Sequence, residues 1–151
     1  MRNSCGLSVR VVTVPGFVLL KIAAFLDRHG RGDQKHRDDA GDIDFWLRNY
    51  DSSDETKRYE VKNLEYELAG AGLLGDDIRR LASEECAGFI RDFLDGHRGA
   101  ESPFMDIVVR KYESIGRDVG RKERESAVER VAALALGLGG GLERADFGAG
   151  S

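Results

Sequence analysis

The sequence predicts an α+β protein that is predominantly helical, with one N-terminal strand followed by about six helices. Three observations lead there. One segment only, "LSVRVVTVP", has the β-branched density of a strand. Most other apolar residues recur at the i, i+3, i+4, i+7 spacing of one helix face. Serine, aspartate or proline punctuation precedes several of those stretches. A chain of 151 residues is long enough to bury one core.

The strand spans Ser8 to Val14 and ends at Pro15. A lone strand leaves its backbone donors and acceptors unpaired, so it calls for a partner strand from elsewhere. From Pro15 the pattern turns helical through Arg28, with proline suited to the first turn. Leu19, Ile22, Ala23 and Leu26 form one stripe, and Phe17, Leu20, Ala24 and Phe25 make most other faces apolar. Such a helix is expected to be buried nearly all round. A polar loop, residues 30–38, leads to a second helix with Asp39 as its N-cap.

In that second helix Ile43, Trp46, Leu47 and Tyr50 share one face. The tripeptide Asp42-Ile43-Asp44 spells the paired-carboxylate motif of polymerase-type metal sites. At 3.6 residues per turn, however, two residues two apart point roughly 200° from each other. Asp42 and Asp44 are therefore not expected to share a metal, and Asp44 reads as a bystander.

The polar linker "DSSDETKR" precedes a helix ending near Ala71 and another opening at Asp76 or Asp77. Ser83 then caps a helix with two glutamates in its first turn, favourable at the positive end of the helix dipole. Ser102 caps the next, with Pro103 at its first position. "RKERESAVERVAALALGL" forms the last helix. The domain reading is a unit over residues 1–115, a C-terminal helix over 116–138 and a flexible glycine-rich tail over 139–151.

Composition narrows the function classes. A third of the residues are charged with both signs interspersed, and the net charge is -4. No broad basic surface for duplex nucleic acid is evident. Cys5 and Cys86 lack the spacing of a metal knuckle or a disulfide framework, which fits a reducing compartment. The longest apolar run, Phe17 to Leu26, is interrupted by Lys21 and is about half a membrane span. Nothing after Met1 resembles a signal peptide. The expectation is a cytoplasmic protein with no membrane partner.

Four residues are candidates for chemistry. Lys21 lies in an otherwise apolar helix, where an ammonium group must either snorkel to water or meet an anion. Arg28 falls two turns later on the same face and could hold a phosphate with it. Asp39 and Asp42 lie three apart, placed for helix capping or, for Asp42, for reaching across a cleft to Lys21. His29 and His36 match no metal-ligand spacing. "GLGGG" follows a helix and lacks the lysine and hydroxyl residue of a phosphate loop.

The order of these residues resembles a known family. A strand, then "VPGFVLLKIAAFLDR", a loop and "KHRDDAGDIDFWLRNY" are similar to the carboxyl-terminal half of AbiEii-like nucleotidyltransferases. These are relatives of the polymerase β superfamily that include type IV toxin-antitoxin toxins. Lys21, Ala24 and Arg28 match the family's "K..A...R", and Asp39, Asp42 and Ile43 its "KD..DL". "YELAGAGLLGDD" also looks like segments that follow in some bacterial members, so the resemblance runs from about Val9 to Asp77.

That resemblance implies nucleotidyl transfer from a nucleoside triphosphate to a hydroxyl, with RNA among the acceptors. Lys21 and Asp42 would be the catalytic pair, Lys21 and Arg28 the phosphate contacts and Asp39 a supporting residue. The cofactor implied is Mg2+. The family's "GS...D.D" segment, which binds that metal, has no counterpart before Val9, and no metal ligand is assigned. The strand would then be a remnant of the nucleotidyltransferase sheet, and the chain a truncated or partial enzyme. An antitoxin or a missing N-terminal segment would be its partner. The alternative is a non-catalytic helical protein-interaction module.

Overall fold

A computed structural model describes residues 12–51 and 55–145. In chain order the helices are α1 (Val14–Gly30), α2 (His36–Asn49), α3 (Glu55–Glu60), α4 (Tyr66–Leu81), α5 (Glu84–His97), α6 (Pro103–Glu113) and α7 (Arg117–Leu138). The described residues form no strand beyond one isolated antiparallel bridge, Val61 with Arg144. They are predominantly helical, as the periodicity requires.

The expected strand is corrected where it can be seen. Residues 8–11 of Ser8–Val14 lie outside the described residues. Thr13 is instead the N-cap of α1, its Oγ1 accepting from the Gly16 amide at 3.3 Å, and Val14 begins the helix. A capping threonine followed by proline in the first turn outweighs the β-branched residues around it.

Other boundaries moved for equally local reasons. The second helix starts at His36, inside the expected loop, and its N-cap position is Lys35 rather than Asp39. Asp33 Oδ1 accepts from the Lys35 amide at 2.9 Å and orders the turn that leads into it. The expected break between Ala71 and Asp76 does not occur, because α4 runs unbroken through three glycines. Part of the polar linker folds as α3. Ser83 and Ser102 cap α5 and α6 as expected, accepting from the amides of Cys86 and Met105.

The core is one apolar cluster that joins α1, α2, α4, α5, α6 and α7. Ile22, Phe25, Ile43, Leu47, Leu74, Phe93, Phe104 and Leu134 are fully buried in it. The expectation that α1 is buried nearly all round is too strong, since Leu20 is exposed. A smaller cluster of Val61, Ala69 and Leu73 takes in Leu142 from beyond α7. Residues 141–145, read as part of a flexible tail, hydrogen-bond to the α3–α4 connection. The Lys62 amide donates to Glu143 O at 2.7 Å and the Ala145 amide to Glu60 O at 2.6 Å.

Around Phe25 the fold gathers all three histidines of the sequence. The ring of His29 stacks on Phe25 and meets His36 and His97 edge-on. His97 is buried, and its Nδ1 has no hydrogen-bond partner among the described residues. Burial, with the neighbouring His29, pushes its pKa down to about 4. Unfolded chains protonate this histidine near 6.5, so the unfolded state binds the extra proton first as pH falls. The native state should then lose stability between about pH 6.5 and 4 and be unaffected above that window. At pH 5 the loss is about 2 kcal/mol. Urea titrations at pH 7 and 5 should show it, and His97→Phe should remove most of it.

Candidate functional site

Lys21 and Arg28 are seven positions apart, which puts both on one face of α1. Asp39 and Asp42 are three positions apart, which does the same on α2. The two helices pack side by side, and the four side chains meet between them. Lys21 Nζ lies 3.0 Å from Asp42 Oδ2 and 3.4 Å from Asp39 Oδ1. Arg28 Nη1 reaches both oxygens of Asp39, at 2.9 and 3.0 Å. The Lys21 ammonium also sits 5.4 Å from the centroid of the Phe17 ring.

The four groups differ in access. Asp39 is 0% exposed, whereas the Lys21 side chain is 26% and the Asp42 side chain 47% exposed. Two cations and two carboxylates leave the cluster neutral. The hydrogen bond that Lys21 donates to Asp42 raises the pKa of Lys21 above the ordinary lysine value, so the amine stays charged. Asp39 is the fixed anion that lets α1 carry two cations against α2. Arg28, expected to grip phosphate, is engaged by Asp39. Asp42 is the replaceable partner, since an anion arriving from solvent could take its place on Lys21 while Asp39 stays clamped.

Asp44 is no bystander. It points away from Lys21 and is buried, accepting from Arg48 Nε at 2.8 Å with Arg130 Nη2 at 3.5 Å. Glu123 accepts from Arg130 Nη2 at 2.7 Å and also from Arg48, tying α2 to α7. The Asp44–Arg48 pair is a local i,i+4 signal, but nothing near Asp44 in sequence signals its burial under α7, because Glu123 and Arg130 come from the far end of the chain. The helix geometry that separates Asp42 from Asp44 is as expected.

The described residues do not fit a magnesium ion. Asp39 and Asp42 are turned onto ammonium and guanidinium groups, and no group of three or more potential ligands among the described residues is arranged around a common point. No described helix is long and apolar enough to cross a membrane. Comparison with protein-family models, curated proteins and solved structures gives no match.

Proposed function

We propose that the chain carries the lysine- and aspartate-bearing part of a nucleotidyltransferase of the AbiEii-like kind. The reaction would move a nucleotidyl group from a nucleoside triphosphate to a hydroxyl acceptor. One observation carries this: Lys21 Nζ lies 3.0 Å from Asp42 Oδ2, the two residues that the motif order pairs. A lysine held between two carboxylates keeps both its charge and its direction, which is what alignment of a triphosphate needs. In this reading Lys21 neutralises phosphate, Asp42 positions Lys21 until the nucleotide arrives, and the Arg28–Asp39 pair fixes the helices. Magnesium, held in the family by the aspartates of the "GS...D.D" segment, would stabilise the leaving group when bound. Residues other than those described would have to supply those aspartates.

The test is Mg2+-dependent incorporation of labelled nucleotide by the chain joined to a "GS...D.D" segment of this family. Lys21→Ala should lower incorporation by about a hundredfold, the range for losing a charged contact made in the transition state. Unchanged incorporation would remove Lys21 from the chemistry.

The alternative is a non-catalytic helical interaction module. It is favoured by the charge balance of the Lys21 cluster and by the exposed apolar side chains of Leu20, Phe45 and Ile115. A complete lack of nucleoside triphosphate binding would support it.

A further inference from the structure

On the other side of α2 from Lys21, a cavity of about 810 Å³ opens between α2 and α6. His36 and Phe104, near the starts of the two helices, both meet Phe25, while Arg48 stacks over the Tyr112 ring near their ends. The helices therefore run side by side in the same direction, and the cavity is the trough between them. Gly41, without a side chain, deepens its α2 wall.

Its lining has two parts. Phe45, Pro103, Ile107 and Val108 supply apolar surface, and Phe45 is 53% exposed. The charged residues are Arg37, Asp44, Arg48, Asp106, Arg110 and Lys111. Both carboxylates are already neutralised: Asp44 by Arg48 and Arg130, and Asp106 by Arg124 at 2.7 Å. Arg48 is likewise taken by Asp44 and Glu123. Arg37, Arg110 and Lys111 meet no carboxylate among the described residues, and Arg110 and Lys111 adjoin each other at one end of the trough. The cavity thus presents uncompensated positive charge beside an apolar wall, on a protein whose net charge is negative.

We propose that this trough binds a small amphipathic organic anion, with its phosphate or carboxylate head between Arg110 and Lys111 and its apolar body along Phe45, Ile107 and Val108. The volume lies within the range of small-ligand sites, which combine apolar walls with a few placed polar groups. A stack of nucleic-acid bases fits less well, because the Tyr112 ring is already covered by Arg48 and Lys111. The inference is independent of the nucleotidyltransferase reading, because it uses none of the residues around Lys21.

The test is a titration of the whole chain, followed by amide chemical shifts, with octyl phosphate, uridine monophosphate, inorganic phosphate, octanol and oligouridine as separate probes. Octyl phosphate, uridine monophosphate or both should give saturable shifts confined to α2 and α6, the better of the two showing whether the body is aliphatic or aromatic. Inorganic phosphate and octanol alone should bind at least tenfold more weakly. The exposed pair Arg110→Glu/Lys111→Glu should weaken binding about tenfold or more, and Phe45→Ala should weaken the whole-anion probes but not inorganic phosphate. Arg91→Glu, an exposed change on α5 outside the trough, should have no effect. Binding that survives the double charge reversal, shifts that centre on Lys21, or a clear preference for oligouridine over every small anion would each overturn the proposal. A native amide spectrum of the double variant shows that lost binding is not lost folding.

Discussion

Alanine at Gly75 or Gly137 is expected to destabilise the protein by about 3 kcal/mol, although alanine is the better helix former by about 1 kcal/mol. The backbones of α4 and α7 touch at these two glycines. A Cβ on Gly75 would overlap the Leu134 carbonyl oxygen and lie 2.9 Å from the Leu138 amide nitrogen. A Cβ on Gly137 would overlap the Gly72 carbonyl oxygen and lie 2.7 Å from the Asp76 amide nitrogen. In both cases the obstacle is backbone, which no change of side-chain rotamer can move aside. The helices would have to separate, loosening Leu74 and Leu134 in the core. Thermal melts should show a fall of roughly 10 °C for a domain of this size. An unchanged melting temperature would mean that α4 and α7 do not approach this closely.

Asp39→Ala should cost about 3 kcal/mol as well, for an electrostatic reason. The carboxylate is fully buried and its two oxygens hold Arg28 while one also faces Lys21. Removing it strands Arg28 at the α1–α2 interface and leaves Lys21 with Asp42 alone, the situation in which breaking a buried ion pair becomes expensive. Asp42→Asn should cost less than about 1 kcal/mol, because its side chain is nearly half exposed and surface pairs contribute little. Urea denaturation of the two variants separates the roles. A large loss for Asp39 and a small one for Asp42 leaves Asp42 free to act in function, and the reverse order would make Asp42 the structural residue.

Much of the α1–α2 region was legible because its signals are local. Lys21 and Arg28, and Asp39 and Asp42, declare their faces through helix period alone. Their meeting needed only that consecutive helices pack together. The N-caps at Ser83 and Ser102 could be read in the same way.

What could not be read depends on residues far apart in the chain. Gly72 and Gly75 look like helix breakers until α7 is seen lying on α4, and Gly70 until Arg58 and the Tyr50 carbonyl are seen against it, since the absence of a side chain matters only when another part of the chain arrives. Asp44 looked idle because Glu123 and Arg130, which complete its network, come from α7. The same holds for the positive trough. Arg37 lies far from Arg110 and Lys111 in the chain although all three line one cavity, and an evenly mixed sequence conceals that the neighbouring carboxylates are taken by other arginines. Asp39 reads as a cap in the sequence because an N-cap and a buried ion-pair partner can occupy the same sequence position. Only the earlier start of α2, at His36, tells them apart.

The central claim is that Lys21 is a nucleotide-phosphate ligand held ready by Asp42. Calorimetric titration of each of the four nucleoside triphosphates, with Mg2+ present, into the wild-type chain and into Lys21→Ala tests it most directly. At least one triphosphate should bind the wild type, and the variant should bind it about tenfold to a hundredfold more weakly, as expected for losing a charge-assisted contact. Equal affinity in the two proteins, or no binding of any triphosphate to the wild type, would contradict it.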